Sequence, residues 1–424
     1  MKMQLSIKLP KLEDMLLFYF FTLPIWRDLI FSHLPGGSSY GSFAVLLFLI
    51  LLAMIKYCRN ISQFTDAFVL YLIIAMLFFL KFWNNPSMSD WINRTYGLMS
   101  VITWGAPLAY LVIRLQRNFT KMLNTLKKTG IVLGIYYALK SLEVLRNGYW
   151  TYTNFGVVRH ESSNMSWSYG VLMAICFISI YLFIKRQKKI AIVPIVLGVV
   201  GILVYGSRGS LIGLVLGAVL MVLLYNKEKM TWKNYLFLFL IAALFIFCLS
   251  DSGLSLVSTL LKNAGLNSRF IDSLVEFSFS NFEEISHGRW AIWTTVIDLI
   301  KSGPFYGYGV YGERNAVYDI GMKWGYSHDI FLEILVSFGW LFGSIIIIIA
   351  VVGIIRFFRD SKIAEEKMLF ILFLTMGFEL LLSNTLWLNC APWVLMGLYA
   401  NHFKHSYVEG IPRGRHQKFC LKKQ

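Results

Sequence analysis

Apolar runs of about 20 residues recur along the chain, separated by short polar and often basic stretches. Runs of that length match a hydrocarbon core roughly 30 Å thick. In lipid the backbone must satisfy its own hydrogen bonds, so each run predicts an α-helix rather than a strand of an open sheet. The pattern places spans at about 13–32, 40–57, 64–83, 96–115, 130–146, 166–184, 190–206, 210–226, 235–250, 329–355, 367–385 and 390–404. It therefore predicts an all-α polytopic integral membrane protein with about 12 transmembrane helices.

One interval breaks this rhythm. Between spans 9 and 10, residues 251–328 form a loop of nearly 80 positions among loops of about 10 to 20, and long loops are usually functional. Residues 254–280 mix apolar and polar positions and predict one or two amphipathic helices on the membrane surface. Residues 281–287 are a polar break, and 288–301 place Trp290, Trp293, Val296, Ile297 and Ile300 at helical spacing. Gly303-Pro304 ends that helix. Gly307, Gly309, Gly312, Gly321 and Gly325 then alternate with Tyr306, Tyr308, Tyr311, Tyr318, Trp324 and Tyr326, and Ser327 is the expected N-cap of span 10. The chain thus divides into helices 1–9 (1–250), the loop (251–328), helices 10–12 (329–404) and a basic tail (405–424).

Composition agrees. The chain is 57% hydrophobic and 15% charged, against about 25% charged in soluble domains, with a mean hydropathy of +0.61. A net charge of +17 would suggest nucleic acid on a soluble protein. Here Lys and Arg collect in alternate loops, as at Arg114/Arg117/Lys121/Lys127/Lys128 and Lys185/Arg186/Lys188/Lys189, which is a topology signal and not a nucleic-acid site. It puts both termini in the cytoplasm. It puts the Ser207-Arg208-Gly209 corner and the 251–328 loop on the extracytoplasmic side of the membrane. The first apolar run lacks a small-residue cleavage site, so it is expected to be retained. The five cysteines show no CxxC or Cys/His ligand spacing, hence no disulfide framework and no structural zinc.

Three residues carry the candidate chemistry. Arg208 precedes a helix N-terminus, where free N–H groups and the macrodipole favour anions. It reads either as half of a phosphate site or as an interfacial arginine snorkelling to headgroups. Arg289 opens the loop helix beside Trp290. It reads as a solvated charge, or as a planar guanidinium that binds phosphate oxygens in pairs. His328 directly follows the loop. A helix N-terminus disfavours its protonated form and keeps it able to accept a proton; the competing reading is a capping or interfacial histidine. Trp290, Tyr308, Trp324 and Tyr326 are candidate sugar platforms, set against an interfacial aromatic belt. There is no P-loop, DxD, HExxH or GxSxG, so neither a bound metal nor a cofactor is expected.

These pieces resemble the O-antigen polymerase and O-antigen ligase family, the Wzy/WaaL-like membrane glycosyltransferases. Ser207-Arg208-Gly209 opens a span. Gly288-Arg289-Trp290 with Trp293 is followed by Pro304 and Gly307-Tyr308-Gly309. His328 is followed by Phe331-Leu332-Glu333, Gly339 and Gly343. The resemblance covers roughly 205–345, about a third of the chain. It departs from the family at Asp329, where Asn is frequent, and at Gly288, where Ser or Ala is usual. It implies a polyprenyl-pyrophosphate-linked oligosaccharide donor, a lipid-linked acceptor hydroxyl and metal-independent inversion. Arg208 and Arg289 would hold the pyrophosphate and His328 would orient or deprotonate the acceptor. It also implies pathway partners, namely a chain-length regulator and a flippase.

The expected activity is accordingly that of a polysaccharide polymerase of O-antigen or capsule type. The first alternative is a ligase moving glycan to a lipid A core. A lipid-linked oligosaccharide flippase is an alternative of another class, which would keep some flux without the loop. A shape, elongation and division type of glycosyltransferase would instead need a loop carboxylate, for which Glu283, Glu284, Glu313 and Asp319 are the candidates.

Overall fold

A computed structural model describes residues 11–33, 38–56, 64–116, 118–147, 149–154, 157–161, 165–183, 188–225 and 288–408, with a few isolated positions between 232 and 263. Span 9, the helices expected at 254–280, the 281–287 break and residues 409–424 of the tail lie outside the described residues, apart from those isolated positions.

The fold is helical. In chain order it comprises α1 (Leu12–Leu29), α2 (Ser38–Lys56), α3 (Thr65–Asn84), α4 (Leu98–Trp104), α5 (Ala109–Arg114) and α6 (Phe119–Asn147). These are followed by α7 (Met165–Ser179), α8 (Lys188–Tyr205), α9 (Arg208–Leu220), α10 (Arg289–Ser302), α11 (Arg314–Asp319), α12 (Ile330–Asp360), α13 (Ala364–Gly377) and α14 (Ala391–Val408). One addition to the all-α expectation is an antiparallel hairpin, β1 (Trp150–Asn154) and β2 (Val157–Glu161), in the loop after α6. Its WTYTN and VVRHE sequences are rich in the β-branched and aromatic residues that suit a pleated surface.

Three described helices are long and apolar enough to cross a membrane: Leu12–His33, Thr65–Asn84 and Ile330–Asp360. Five shorter apolar helices accompany them: Tyr40–Lys56, Leu98–Arg114, Trp167–Leu182, Ala191–Ile202 and Gly209–Leu224. Burial sorts the long ones by position. In α1, 44% of the apolar window is buried, against 11% in α3 and α12. So α1 is central and the other two present apolar faces outward, where Phe68, Leu72, Phe79, Ile348, Ile349 and Ile355 are all more than half exposed or nearly so. The core around α1 is aromatic: Phe21 meets Phe177 at 5.2 Å and Phe373 at 5.4 Å between ring centroids, separations at which offset and edge contacts are favourable.

Three boundaries differ from the hydropathy reading. Span 4 is broken at Gly105, whose φ of 64° ends α4 and starts a 3-10 turn, Ala106–Leu108. Span 5 begins eleven residues early, at Phe119 instead of 130, so Lys121, Lys127 and Lys128 sit on a helix and not in a loop. Span 10 is capped by Asp329, whose side chain accepts the Leu332 N–H at 2.9 Å. Ser327, the expected cap, instead donates its hydroxyl to the Asp329 carbonyl.

Span 10 is also two helices. At Gly339 (φ 76°, ψ 165°) α12 loses helical geometry, and a glycine is an ordinary cause of a sharp kink. In an unbroken helix the carbonyls of Val336 and Ser337 would take N–H groups four residues on. Here they accept from Tyr308 (2.9 Å) and Gly309 (2.8 Å), while Leu341 N–H donates to Phe305 O (3.4 Å). The GPFYGYG run is thus strapped along the break, and its glycines have a steric reason. A Cβ on Gly307 would lie 2.2 Å from Gly339 N, and one on Gly339 would lie 2.0 Å from Phe305 O.

Candidate active site

The strap fixes the floor of a polar region between the loop and the helix ends. Lys81, near the end of α3, donates to Tyr308 O at 2.7 Å. Trp91, in the 3-10 turn Pro86–Trp91, is 1% exposed and donates its indole N–H to Asn315 Oδ1 at 2.8 Å. Its ring lies against the backbone at Gly325, where a Cβ would come within 2.2 Å of it. The short loop after α3 and the long loop are therefore built as one unit.

Arg289 is the first residue of α10, after Gly288 in the left-handed region (φ 79°). Its side chain is half-buried, and burial lowers its proton affinity while the neighbouring Tyr169 and Tyr326 oppose that shift. Tyr326 is 4% exposed and its ring lies 4.1 Å from the His328 imidazole. Arg289 and His328, 39 positions apart in sequence, are therefore near enough for each charge to act on the other, with Tyr326 against the imidazole. His328 has φ 55° and a buried Nδ1 with no hydrogen-bond partner. Burial first, then the charges of Arg289 and Arg314, push its pKa down to about 3. These influences favour the neutral imidazole at physiological pH, and burial is the leading one.

Arg208 begins α9 after the cap Ser207, whose hydroxyl accepts the Ser210 N–H at 3.3 Å. Ser168 supports this corner by accepting the Ser207 N–H at 2.9 Å. The Arg208 side chain lies outside the described part of the structure. What connects the corner to the loop is Tyr169. Its hydroxyl sits where a Cβ on Gly209 would come within 2.1 Å, and the residue interacts with Ser207, Ser383 and Arg289.

The aromatic candidates separate. Trp324 is 47% exposed and packs edge-on against Tyr96 at 5.3 Å, and Trp290 is 46% exposed. Both can meet a sugar face. Tyr326 is buried between Tyr96, Arg314 and His328, where it supports the site from beneath. Tyr308 packs on the loop's own small core of Ile292, Val296, Val317 and Val336.

Sequence reasoning missed Arg314 and weighed Glu313 only for a rival family. Both are fully buried. They sit 3.8 Å apart, and Arg314 Nη1 donates to Trp324 O at 3.0 Å. Burial raises the Glu313 pKa, with Arg314 opposing. An RN pair beside a glycine-rich turn reads as solvated in sequence; only the fold encloses it. Among non-glycine residues described, φ is positive at Tyr96, Tyr311, His328 and Asn384. The first three lie in this region. Asn384 adjoins Thr385, whose hydroxyl donates to Glu333 in the first turn of α12. Strained backbone of this kind persists where packing over-determines it and is a mark of functional sites. Among the described residues no group of three or more His, Cys, Asp or Glu is arranged to hold a metal ion.

Residues 193–348 match the family model described as O-Antigen ligase. The match supports an assignment to the O-antigen ligase/polymerase family. The matched segment runs from α8 through the kink of α12, so it contains Arg208, Arg289, Arg314 and His328. Members of this family are membrane glycosyltransferase-like enzymes, and the apolar helices agree with a membrane protein. No curated protein and no solved structure matches the chain significantly.

Proposed function

We propose that the protein transfers a glycan from a polyprenyl-pyrophosphate carrier to a sugar hydroxyl of a second lipid-linked repeat unit, as a polysaccharide polymerase on the outer face of the cytoplasmic membrane. The observation that carries this reading is the nearness of Arg289 to a neutral His328, with Tyr326 against the imidazole. In the proposed step the acceptor hydroxyl oxygen forms a bond to the anomeric carbon while the bond to the pyrophosphate oxygen breaks, with inversion. The hydroxyl proton passes to His328, a general base that needs no prior deprotonation near pH 7. Arg289, together with Arg208 from the start of α9, takes up the charge developing on the departing pyrophosphate. Pyrophosphate is already an activated leaving group, so no nucleotide is required.

Under this reading the loop 251–328 faces outward, both termini are cytoplasmic and about 12 spans cross the membrane. The matched family, described as O-Antigen ligase, supports a second reading equally, a ligase delivering glycan to a lipid A core. A deletion strain separates the two: a polymerase restores ladder length, a ligase restores core attachment. Arg289→Ala is the test of the shared chemistry. It is expected to abolish transfer while the protein still inserts, and Arg289→Lys to rescue poorly, because a point charge does not reproduce the paired fork. Long polymer from Arg289→Ala would remove the pyrophosphate role.

A further inference from the structure

The arginine that sequence reasoning passed over is the best-enclosed cation among the described residues of the site. Arg314 is fully buried, with its guanidinium carbon 4.3 Å from the Tyr311 ring centroid, 5.4 Å from that of Tyr326 and 5.5 Å from that of Trp91. Such cation–π contacts strengthen when the cation is desolvated. Its Nη1 holds Trp324 O, so one side chain grips both ends of the Trp324–Tyr326 turn that presents His328. Yet Nε and Nη2 have no hydrogen-bond partner, nor do the two oxygens of Glu313 or the Tyr311 hydroxyl. An arginine retained only to knit the fold would be expected to use its donors. Arg114 does so: its Nε and Nη2 donate to Asp66 and its Nη1 to Asn401.

We propose that Arg314 is a positioning residue for His328: the caged guanidinium fixes the Trp324–Tyr326 turn beneath the imidazole and keeps a second cation beside it, so that the ring rests in its neutral form, aimed by the turn. Tyr326 transmits the position, being the ring in contact with both groups. Glu313 modulates the charge. The charged groups acting on His328 are Arg289 from α10 and Arg314 from α11, with Glu313 beside Arg314; at the start of α12 the Asp329 carboxylate is taken by the Leu332 N–H and that of Glu333 by Thr385 and the Leu386 N–H. Removing Arg314 leaves that balance less positive and favours the imidazolium.

The inference rests on His328 being the proton acceptor, and the experiment separates the two. The full-length protein in nanodiscs, labelled with isotopic histidine, is titrated by NMR, with His328→Gln identifying the signal. In Arg314→Gln the midpoint for His328 is expected to move upward by about one pH unit, and the acid limb of glycan transfer to move with it. Arg314→Lys, which keeps the charge, is expected to restore the midpoint but not the full rate, because the grip on Trp324 O is altered. If the single variant does not fold, Glu313→Gln/Arg314→Gln removes both charges at similar volume and is expected to show an upward movement of smaller size, because the loss of the Glu313 carboxylate takes back part of the effect. An unchanged His328 midpoint in the folded variant overturns the proposal, whatever the activity. Full transfer by His328→Ala instead overturns the base reading and leaves the titration of Arg314→Gln as an independent result.

Discussion

The helix bundle carries a buried polar cluster at each end, and the two are built on opposite rules. At the end where α1 begins, Arg114 is 8% exposed and fully engaged: Asp66 takes two of its N–H groups at 2.8 and 3.2 Å and Asn401 takes a third. Asn401 in turn donates to the carbonyls of Ile113 and Gln116. Beside it Glu366 accepts from Ser361 at 2.8 Å and pairs with His402 Nδ1 at 2.8 Å. At the other end Glu313 and Arg314 are at least as deeply buried but only 3.8 Å neighbours. Their orphaned atoms and that of His328 stand among residues held at positive φ. Saturated pairing is what a lock between helices needs. Incomplete pairing and backbone strain are what a site retains for a substrate.

The sharpest way to break this contrast is to remove one histidine from each end. His328→Ala is expected to lower glycan transfer by about 10²–10⁴-fold, the usual span for loss of a general base, while membrane insertion and thermal midpoint stay close to wild type. His402→Ala is expected to do the reverse: a lower thermal midpoint, with unchanged transfer per folded molecule. Transfer assays normalised to folded protein would read both, and a His402 variant that loses turnover while folded would dissolve the distinction.

Next in size is the lock itself. Asp66→Asn leaves the Arg114 charge buried with a neutral partner. Breaking a fully buried pair costs about 3 kcal/mol; the Asp66 side chain is 40% exposed, so solvent screening leaves less than that, and the thermal midpoint in detergent should still fall with no change in the donor dependence of the rate. Gly339→Ala should have a smaller but mixed effect. The added Cβ meets Phe305 O at a φ of 76°, a strain of about 1–3 kcal/mol. Because the strap at Tyr308 and Gly309 moves with it, both stability and transfer should drop.

How much of this contrast the sequence announces depends on the length scale of the signal. Spans such as α3, apolar on every side, are visible because lipid imposes one rule on 20 consecutive residues. Arg289 and His328 are visible because each sits at a helix start bordering a polar loop. Arg314, Trp91 and Tyr169 are invisible for physical reasons: Arg314 has near partners, such as Trp324 ten positions on, but its enclosure depends on the fold of the loop, while Trp91 and Tyr169 act through residues more than 100 positions away. Trp91, for example, meets Asn315 across a separation of 224. The break at Gly339 is hidden differently. An apolar run reads as one span whether or not its hydrogen bonds are handed to a strap, and only the paired glycines at 307 and 309 hint at close backbone approach. Tyr308 is a case where local reading points outward and packing points inward, since its ring serves the small core under α10.

The smallest predicted effect is the absence of one, and it tests the site end directly. A histidine with an ordinary pKa near 6.5 would lose about tenfold of its base form between pH 7.5 and 5.5. Burial, with Arg289 and Arg314, holds the His328 value down to about 3. The base form is then present throughout pH 5 to 8, and transfer should show no acid limb from the imidazole in that window. The linked stability has the same sign. Folding favours the neutral ring, so this contribution is complete above about pH 6.5 and is lost progressively as the pH falls toward 3. A rate profile measured with a non-titrating acceptor sugar checks it. A half-point near pH 6.5 that vanishes in His328→Gln would mean that the ring is more solvated than its surroundings imply, and that the two ends of the bundle differ less than their hydrogen bonds suggest.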